Sequence, residues 1–93
     1  MIKIPVSNAV EQQHNLKKGN IDIFIKIKYL NRTQMFLIDV KTKDFEILGT
    51  QIILGDYTPI KDITFRCICT YQSTAHPYAF EDFAINRTEL YLL

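Results

Sequence analysis

Several kinds of residue are scarce in this chain of 93 residues, and the scarcity excludes one common class of site. Tryptophan is absent, and the three glycines, Gly19, Gly49 and Gly55, lie far apart. A phosphate-binding loop needs clustered glycines so that several backbone N–H groups converge on one anion. The sequence therefore excludes a glycine-rich nucleotide-binding loop.

Long apolar runs are absent too, and so is a strong excess of one charge. No run approaches the roughly 20 residues that a membrane helix needs, and Pro5 interrupts the short apolar segment at residues 1–6. The formal net charge is +1, so no general attraction to nucleic acid or anionic lipid is expected. We expect no membrane association and a soluble intracellular product.

The chain has only two cysteines, Cys67 and Cys69. Residues two apart on a strand share a face, and their Cα atoms lie roughly 6.5–7 Å apart, at the limit for a disulfide. We predict reduced, buried thiols. A zinc site would have to combine both sulfurs with His14 and His76, but Cys-x-Cys within an apolar strand directs its sulfurs into the core. We predict no metal site and no cofactor.

Catalytic groups are equally scarce. A reactive thiolate needs a partly exposed, electropositive setting, which an apolar strand does not provide. His76 precedes Pro77 in a segment typical of a loop, and Asp39 and Asp82 have no identifiable partner carboxylate. We therefore predict that the protein is not an enzyme and that it has no catalytic residues.

Alternation of apolar and polar residues is the strongest pattern that is present. In residues 21–29 the apolar side chains recur at every second position: Ile21, Ile23, Ile25, Ile27 and Tyr29. Successive side chains on a strand point to opposite faces, so this spacing predicts a strand with one buried face. A polar turn at 31–34 and a second strand at 35–40, burying Phe36, Ile38 and Val40, complete a predicted hairpin.

Further strands are predicted at 2–6, 45–54 and 89–93, with the alternation in the second of these broken at Gly49. An interior glycine at such a break suggests a bulge or a bend. A strand at 63–71 is expected to bury one side, namely Ile63, Phe65, Cys67, Cys69 and Tyr71.

The remaining segments contain no predicted strand, and residues 17–20 are predicted as a turn and 55–59 as a loop. Residues 7–20 are polar and end in turn-forming residues, 55–59 contain glycine and proline, and 72–88 are the least regular part of the chain. The sum is a single all-β domain, residues 1–93, with about six antiparallel strands. A small twisted sheet of this kind is expected to curl into a barrel or a compact sandwich.

One small surface pattern suggests a binding function. Phe24 lies between Asp22 and Lys26 on the polar face of its predicted strand, and Lys28 follows. Small β-barrels bind single-stranded nucleic acid by stacking bases on exposed aromatic rings beside basic side chains. Single-strand binding is therefore an alternative function, although the charge near zero makes nucleic acid an unlikely partner.

Taken in order, several segments resemble the phage baseplate plug family, small components of contractile-tail baseplates. The matching segments are Ile4-Pro5-Val6, Gln12-Gln13, Tyr29-Leu30-Asn31-Arg32, Phe36-Leu37-Ile38-Asp39-Val40, Ile47-Leu48-Gly49-Thr50, Ile53-Leu54-Gly55 and Glu89-Leu90-Tyr91-Leu92. Each segment is short, and the resemblance depends on their order and spacing over most of the chain.

The resemblance implies a structural protein of the virion. It implies a plug-like position in the tail baseplate, contacts with hub or tail-tube proteins, and several copies in a symmetric assembly. It also implies synthesis in the host cytoplasm. A chain of 93 residues buries only a modest core, so contacts with a partner would contribute to its stability.

Overall fold

The computed structural model describes residues 1–7, 9–33, 35–69 and 88–93, with Cys69 described by its backbone alone. Eight strands lie in this part of the chain: β1 (Ile2–Ile4), β2 (Glu11–Lys18), β3 (Ile21–Leu30), β4 (Met35–Lys41), β5 (Glu46–Gln51), β6 (Gly55–Ile60), β7 (Ile63–Cys69) and β8 (Thr88–Leu92). The all-β prediction is confirmed.

The strands form two antiparallel sheets of four strands each. One sheet has the order β2-β3-β4-β5, and the other has the order β1-β8-β7-β6. Buried side chains of both sheets belong to one hydrophobic cluster, so the sheets pack face to face over a shared core. The chain passes from the first sheet to the second between β5 and β6, where the buried Ile52 donates its N–H to the Phe36 carbonyl over 2.9 Å.

The alternation that predicted the central hairpin also predicted its buried face. Ile23, Ile25 and Ile27 are at most 2% exposed, and Phe36, Ile38 and Val40 on β4 are fully buried. On β7 the prediction is confirmed for Ile63, Phe65 and Cys67, whereas the side chain of Cys69 and all of Tyr71 lie outside the described residues. Ile21 is the exception: it is 42% exposed because it lies at the end of the sheet, beside a turn.

The prediction of about six strands is wrong, because the described residues contain eight. The first missed strand, β2, lies within the polar segment 7–20, for which the sequence predicts no strand and a turn only at 17–20. It is an edge strand, and Leu16 is its one apolar residue. Its positions alternate between exposed and half-buried, but polar residues occupy almost all of both kinds, so the sequence shows no apolar alternation.

The second missed strand is β6, which covers the segment 55–59 that was predicted as a loop. Pro59 cannot donate a backbone hydrogen bond, but it is tolerated because β6 is an edge strand of its sheet. The register between β6 and β7 shifts between Tyr57 and Ile60, next to this proline.

The sheets do not close into a barrel, so that alternative is wrong and the two-layer arrangement holds. With eight strands divided equally, each layer keeps two edge strands: β1 and β6 in one sheet, β2 and β5 in the other. The predicted irregular segment 72–88 lies outside the described residues except for Thr88, which begins β8.

The bulge predicted at Gly49 is confirmed. The register between β4 and β5 shifts between Ile38 and Val40, and Gly49 has a φ of 70°. Its N–H donates to Oδ1 of Asp39 over 2.7 Å, which replaces the interrupted ladder bond. Glycine adopts positive φ without the steric cost that a Cβ imposes.

We expect Gly49→Val to destabilise the fold by about 1–3 kcal/mol, because a β-branched residue is strained at positive φ. Crowding is not the cause, since no atom lies within 4 Å of the place a Cβ would take. Gly49→Asn is the matched control and should cost much less, because asparagine tolerates this conformation. Urea unfolding of both variants tests this, and equal losses would show that the penalty comes from the side chain and not from φ.

Candidate protein-binding surface

Three hairpin turns lie at the same end of the molecule. They are the β2–β3 turn at Gly19 and Asn20, the β4–β5 turn at residues 43–44, and the β6–β7 turn at Lys61 and Asp62. Residues of all three turns line one depression of about 550 Å³. Lys18 joins the first turn to the third by donating from Nζ to the Asp62 carbonyl over 2.8 Å.

Apolar side chains are exposed around this depression. Ile21, Phe24 and Phe45 line it and are 42%, 48% and 61% exposed respectively. We name these three residues the end patch. Exposed apolar side chains scattered singly are ordinary, but a group of three around one concavity is typical of a binding site.

Local structure explains why the two aromatic rings face solvent. The neighbours of Phe24 on β3, Ile23 and Ile25, occupy the core face, so Phe24 lies on the outer face, opposite Asn15 on β2 and Lys41 on β4.

Phe45 is fixed by the tight β4–β5 turn. The N–H of Thr42 donates to the Phe45 carbonyl over 2.8 Å, and the N–H of Phe45 donates to Thr42 Oγ1 over 3.2 Å. Phe24 is thus held on a strand and Phe45 by a hydrogen-bonded turn, which lowers the entropy cost of presenting both rings to a partner.

The rim of the depression is charged but balanced. Its charged lining residues are three lysines and three aspartates, namely Lys41, Lys43, Lys61, Asp22, Asp44 and Asp62. Three positive and three negative charges sum to zero, so the rim does not favour a polyanion. An apolar centre within a polar rim matches the anatomy of protein–protein interfaces.

A second, shallower depression of about 330 Å³ continues from Phe24 over the outer face of the same sheet, where Leu48 and Lys26 also line it. Lys26 Nζ lies 2.8 Å from Glu11 Oε1, and Lys28 Nζ lies 4.0 Å from the same oxygen. The hydrogen bond between Lys26 and Glu11 lowers the pKa of Glu11 and raises the pKa of Lys26. Glu11 thus offsets one of the two positive charges that Lys26 and Lys28 bring beside Phe24.

The outer face of the other sheet is mostly polar, although Ile68 on β7 is 39% exposed there. The Arg66 guanidinium donates two hydrogen bonds to the Asp56 carboxylate, over 2.7 and 2.9 Å, which lowers the pKa of Asp56 and raises that of Arg66. Opposite Arg66 on β8 lies Tyr91, whose hydroxyl donates to Glu89 and whose pKa is thereby raised. The outer face of the first sheet differs in carrying two apolar side chains with greater exposure, Phe24 at 48% and Leu48 at 68%.

The residues considered as possible metal ligands do not come together in the described part of the chain. Cys67 is buried in the core, and His14 is half-buried on β2 with Nε2 2.8 Å from Gln12 Oε1. The Cys69 side chain and His76 lie outside the described residues. Within the described residues, no three His, Cys, Asp or Glu side chains are placed to hold a metal ion.

Of the two acidic residues considered for catalysis, the structure describes only one. Asp39 accepts the Gly49 N–H and so has a structural role at the β5 bulge, whereas Asp82 lies outside the described residues.

The fold should lose stability in mild acid through His14, because burial lowers the pKa of this imidazole in the folded state. A base with a lower pKa when folded binds its proton more readily when unfolded, so stability falls as the pH drops below about 6.5. We expect His14→Gln to reduce this loss, measured by urea unfolding at about pH 7.5 and about pH 5.5. His76→Gln is the control, and an equal pH response in the wild type and His14→Gln would contradict the prediction.

The sequence pointed to one residue of this surface and missed the others. Phe24 was predicted on the outer face, but Ile21 was expected to be buried, and no exposure was predicted for Phe45 and Leu48. The adjacent apolar pair Ile47-Leu48 was the available signal, since adjacent residues on a strand face opposite sides and one of the pair must leave the core.

Neither a scan against protein-family models nor a search of curated proteins finds a match to this chain. Within the described residues, no helix is long and apolar enough to cross a membrane.

Proposed function

We propose that this chain is a structural protein-binding module that docks to a partner protein through the end patch. The observation that carries the proposal is the clustering of Ile21, Phe24 and Phe45, all more than 40% exposed, around one concavity. Burying this surface in a complex would gain roughly 25 cal/mol for each Å² of apolar area removed from water.

The composition of the site supports a protein as the partner. Aromatic side chains are enriched at interface centres, and charged side chains at their rims. The end patch has this arrangement, and its rim carries equal numbers of lysines and aspartates. Mixed charge favours a partner surface that also carries both signs.

We further propose that the assembly is a phage tail baseplate and that the chain is its plug-type component. The support is the ordered resemblance to the baseplate plug family described above. Four of its seven segments lie within strands: Gln12-Gln13 within β2, Phe36–Val40 within β4, Ile47–Thr50 within β5, and Glu89–Leu92 within β8. The partners would then be hub or tail-tube proteins, with several copies of the chain in each virion.

Peptide mass spectrometry on gradient-purified, contractile-tailed particles from the source lysate tests this assignment. We expect the chain at a few copies per particle, retained through detergent and high-salt washes. Absence from complete particles would reject the virion role, whereas loss in high salt alone would indicate adventitious charge-driven adsorption.

Single-strand nucleic-acid binding is the competing function, and one observation favours it: Phe24 is 48% exposed with Lys41 opposite and Lys26 nearby. The ion pairs of Glu11 with Lys26 and Lys28 weaken it. Fluorescence anisotropy with labelled single strands at low and high salt decides the matter, since such binding must weaken as salt rises. No binding at low salt would eliminate this alternative.

A further inference from the structure

The four edge strands of the two sheets differ in how they are protected against pairing with another chain. Exposed edges of natural sheets usually carry charged residues, above all lysine, or proline, contain a bulge, or are very short. β1 has three residues and is followed by Pro5, β2 ends in Lys17-Lys18, and β6 contains Pro59. β5 has six residues, with neither lysine nor proline.

β5 is also the most apolar exposed edge in the described part of the chain. Leu48 is 68% exposed and Ile47 is 36% exposed. The Gly49 bulge interrupts the second half of the strand, but Glu46 and Ile47 keep a regular register opposite Lys41 and Val40. The first half of β5 is therefore a regular, apolar edge.

The backbone of this half directs hydrogen-bonding groups outward. Thr42 N–H donates to the Phe45 carbonyl, which fixes Phe45 as a residue bonded to β4. Residues of an antiparallel ladder alternate between bonding to one neighbour and to the other. Ile47 therefore bonds inward to β4, whereas Glu46 and Leu48 direct their N–H and C=O groups toward the open edge.

We propose that β5 pairs antiparallel with β5 of a second copy of this chain, about a two-fold axis at Ile47. In this register Glu46 of each copy lies opposite Leu48 of the other. Because these residues have outward-directed backbone groups, the two pairs exchange four N–H···O=C hydrogen bonds. The two sheets join into one continuous sheet of eight strands.

Side chains favour the same register. Ile47 meets Ile47 of the second copy, which matches two apolar residues at the axis. Phe45 lies opposite Gly49. Beyond Gly49 and its chain neighbours, no atom lies within 4 Å of the place that a Cβ would take there, so the ring has space to cover the glycine. Glu46 lies opposite Leu48, so no like charges face each other directly.

The contact is small, so the dimer should be weak. Stable interfaces bury about 1,200–2,000 Å², and a pairing of about five residues per copy falls below this range. We therefore expect a monomer at low concentration and a reversible dimer at high concentration, with greater occupancy wherever an assembly holds the copies side by side.

Sedimentation velocity over about a hundredfold range of concentration tests the pairing, with dissociation constants expected above about 10 μM for so small a contact. We expect the wild type to dimerise and Leu48→Lys to remain monomeric at every concentration. Val10→Lys makes the same charge change at a residue that is 63% exposed and outside β5, and should dimerise like the wild type. Circular dichroism checks that both variants are folded.

A disulfide trap tests the register. Residues opposite each other in a non-hydrogen-bonded pair have Cα atoms about 4.5 Å apart, so mild oxidation of Ile47→Cys should link two copies through position 47. Leu48→Cys is not opposite itself and should link far less. Peptide mapping distinguishes these bonds from any formed by Cys67 or Cys69.

Three results would overturn the proposal: a wild type that stays monomeric throughout, a dimer that Leu48→Lys leaves unchanged, or cross-links that map away from position 47. None of them bears on the virion test, so the two proposals fail separately.

Discussion

Replacing Phe36 by alanine is expected to remove about 3–5 kcal/mol from the free energy of unfolding. The ring is fully buried near the start of β4, an inner strand of its sheet, and its centroid lies 4.8 Å from that of Tyr29 on the adjacent strand. Its removal leaves a cavity that the flanking strands cannot fill, because both are fixed by ladder hydrogen bonds. The free energy of unfolding of such domains is only about 5–15 kcal/mol in total, so this substitution should remove a large part of it.

Phe24→Ala is the matched control, since it makes the same chemical change on the neighbouring strand. Phe24 is 48% exposed on the outer face, so we expect a loss below about 1 kcal/mol. Equilibrium urea unfolding followed by circular dichroism measures both variants. Comparable losses would mean that the core does not lie between the two sheets.

The difference between these two phenylalanines also marks how far the sequence could predict the fold. Phe36 continues the alternation of Ile38 and Val40, whereas Phe24 falls between Ile23 and Ile25, and a period of two assigns each ring to its face without further information. Strands that are buried on one side and solvated on the other, such as β3 and β4, are predictable for this reason.

Edge strands were not predictable in the same way. β2 contributes Leu16 as its one apolar side chain, and β6 contains Gly55 and Pro59, so neither has the composition of a central strand. Their conformation follows from pairing with β3 and β7, which is a tertiary effect that local patterns do not carry. The strand count was therefore too low by two edge strands.

The end patch required the tertiary structure for a different reason. Ile21 continues a regular apolar alternation. Only the position of the β2–β3 turn shows that Ile21 lies beyond the part of the sheet that packs against the other sheet. Phe45 is distant from Phe24 in sequence, and the β3–β4 register brings Lys41, and with it the β4–β5 turn, beside that ring. A site built from three turns is assembled by strand pairing, so no single segment signals it.

The largest functional effect is expected from a charge placed at the centre of this site. If the chain is the proposed baseplate component, Phe24→Asp should lower its incorporation into particles at least about 30-fold. This factor corresponds to the roughly 2 kcal/mol or more that defines an interface hot spot. The aspartate would remove an aromatic ring from both depressions and leave a carboxylate to be desolvated on docking. The fold should be retained, because the ring contributes little to the core.

The measurement is the copy number per particle, by peptide mass spectrometry, after the variant replaces the wild-type chain during phage growth. Val10→Asp is the control, since Val10 is 63% exposed and does not line either depression, and it should be incorporated normally. Normal incorporation of Phe24→Asp would exclude the end patch as the docking surface while leaving the virion role intact. Loss of both variants would instead indicate that added negative charge anywhere on the chain prevents assembly. A Phe24→Ala variant, which adds no charge, would then separate the loss of the ring from the gain of the carboxylate.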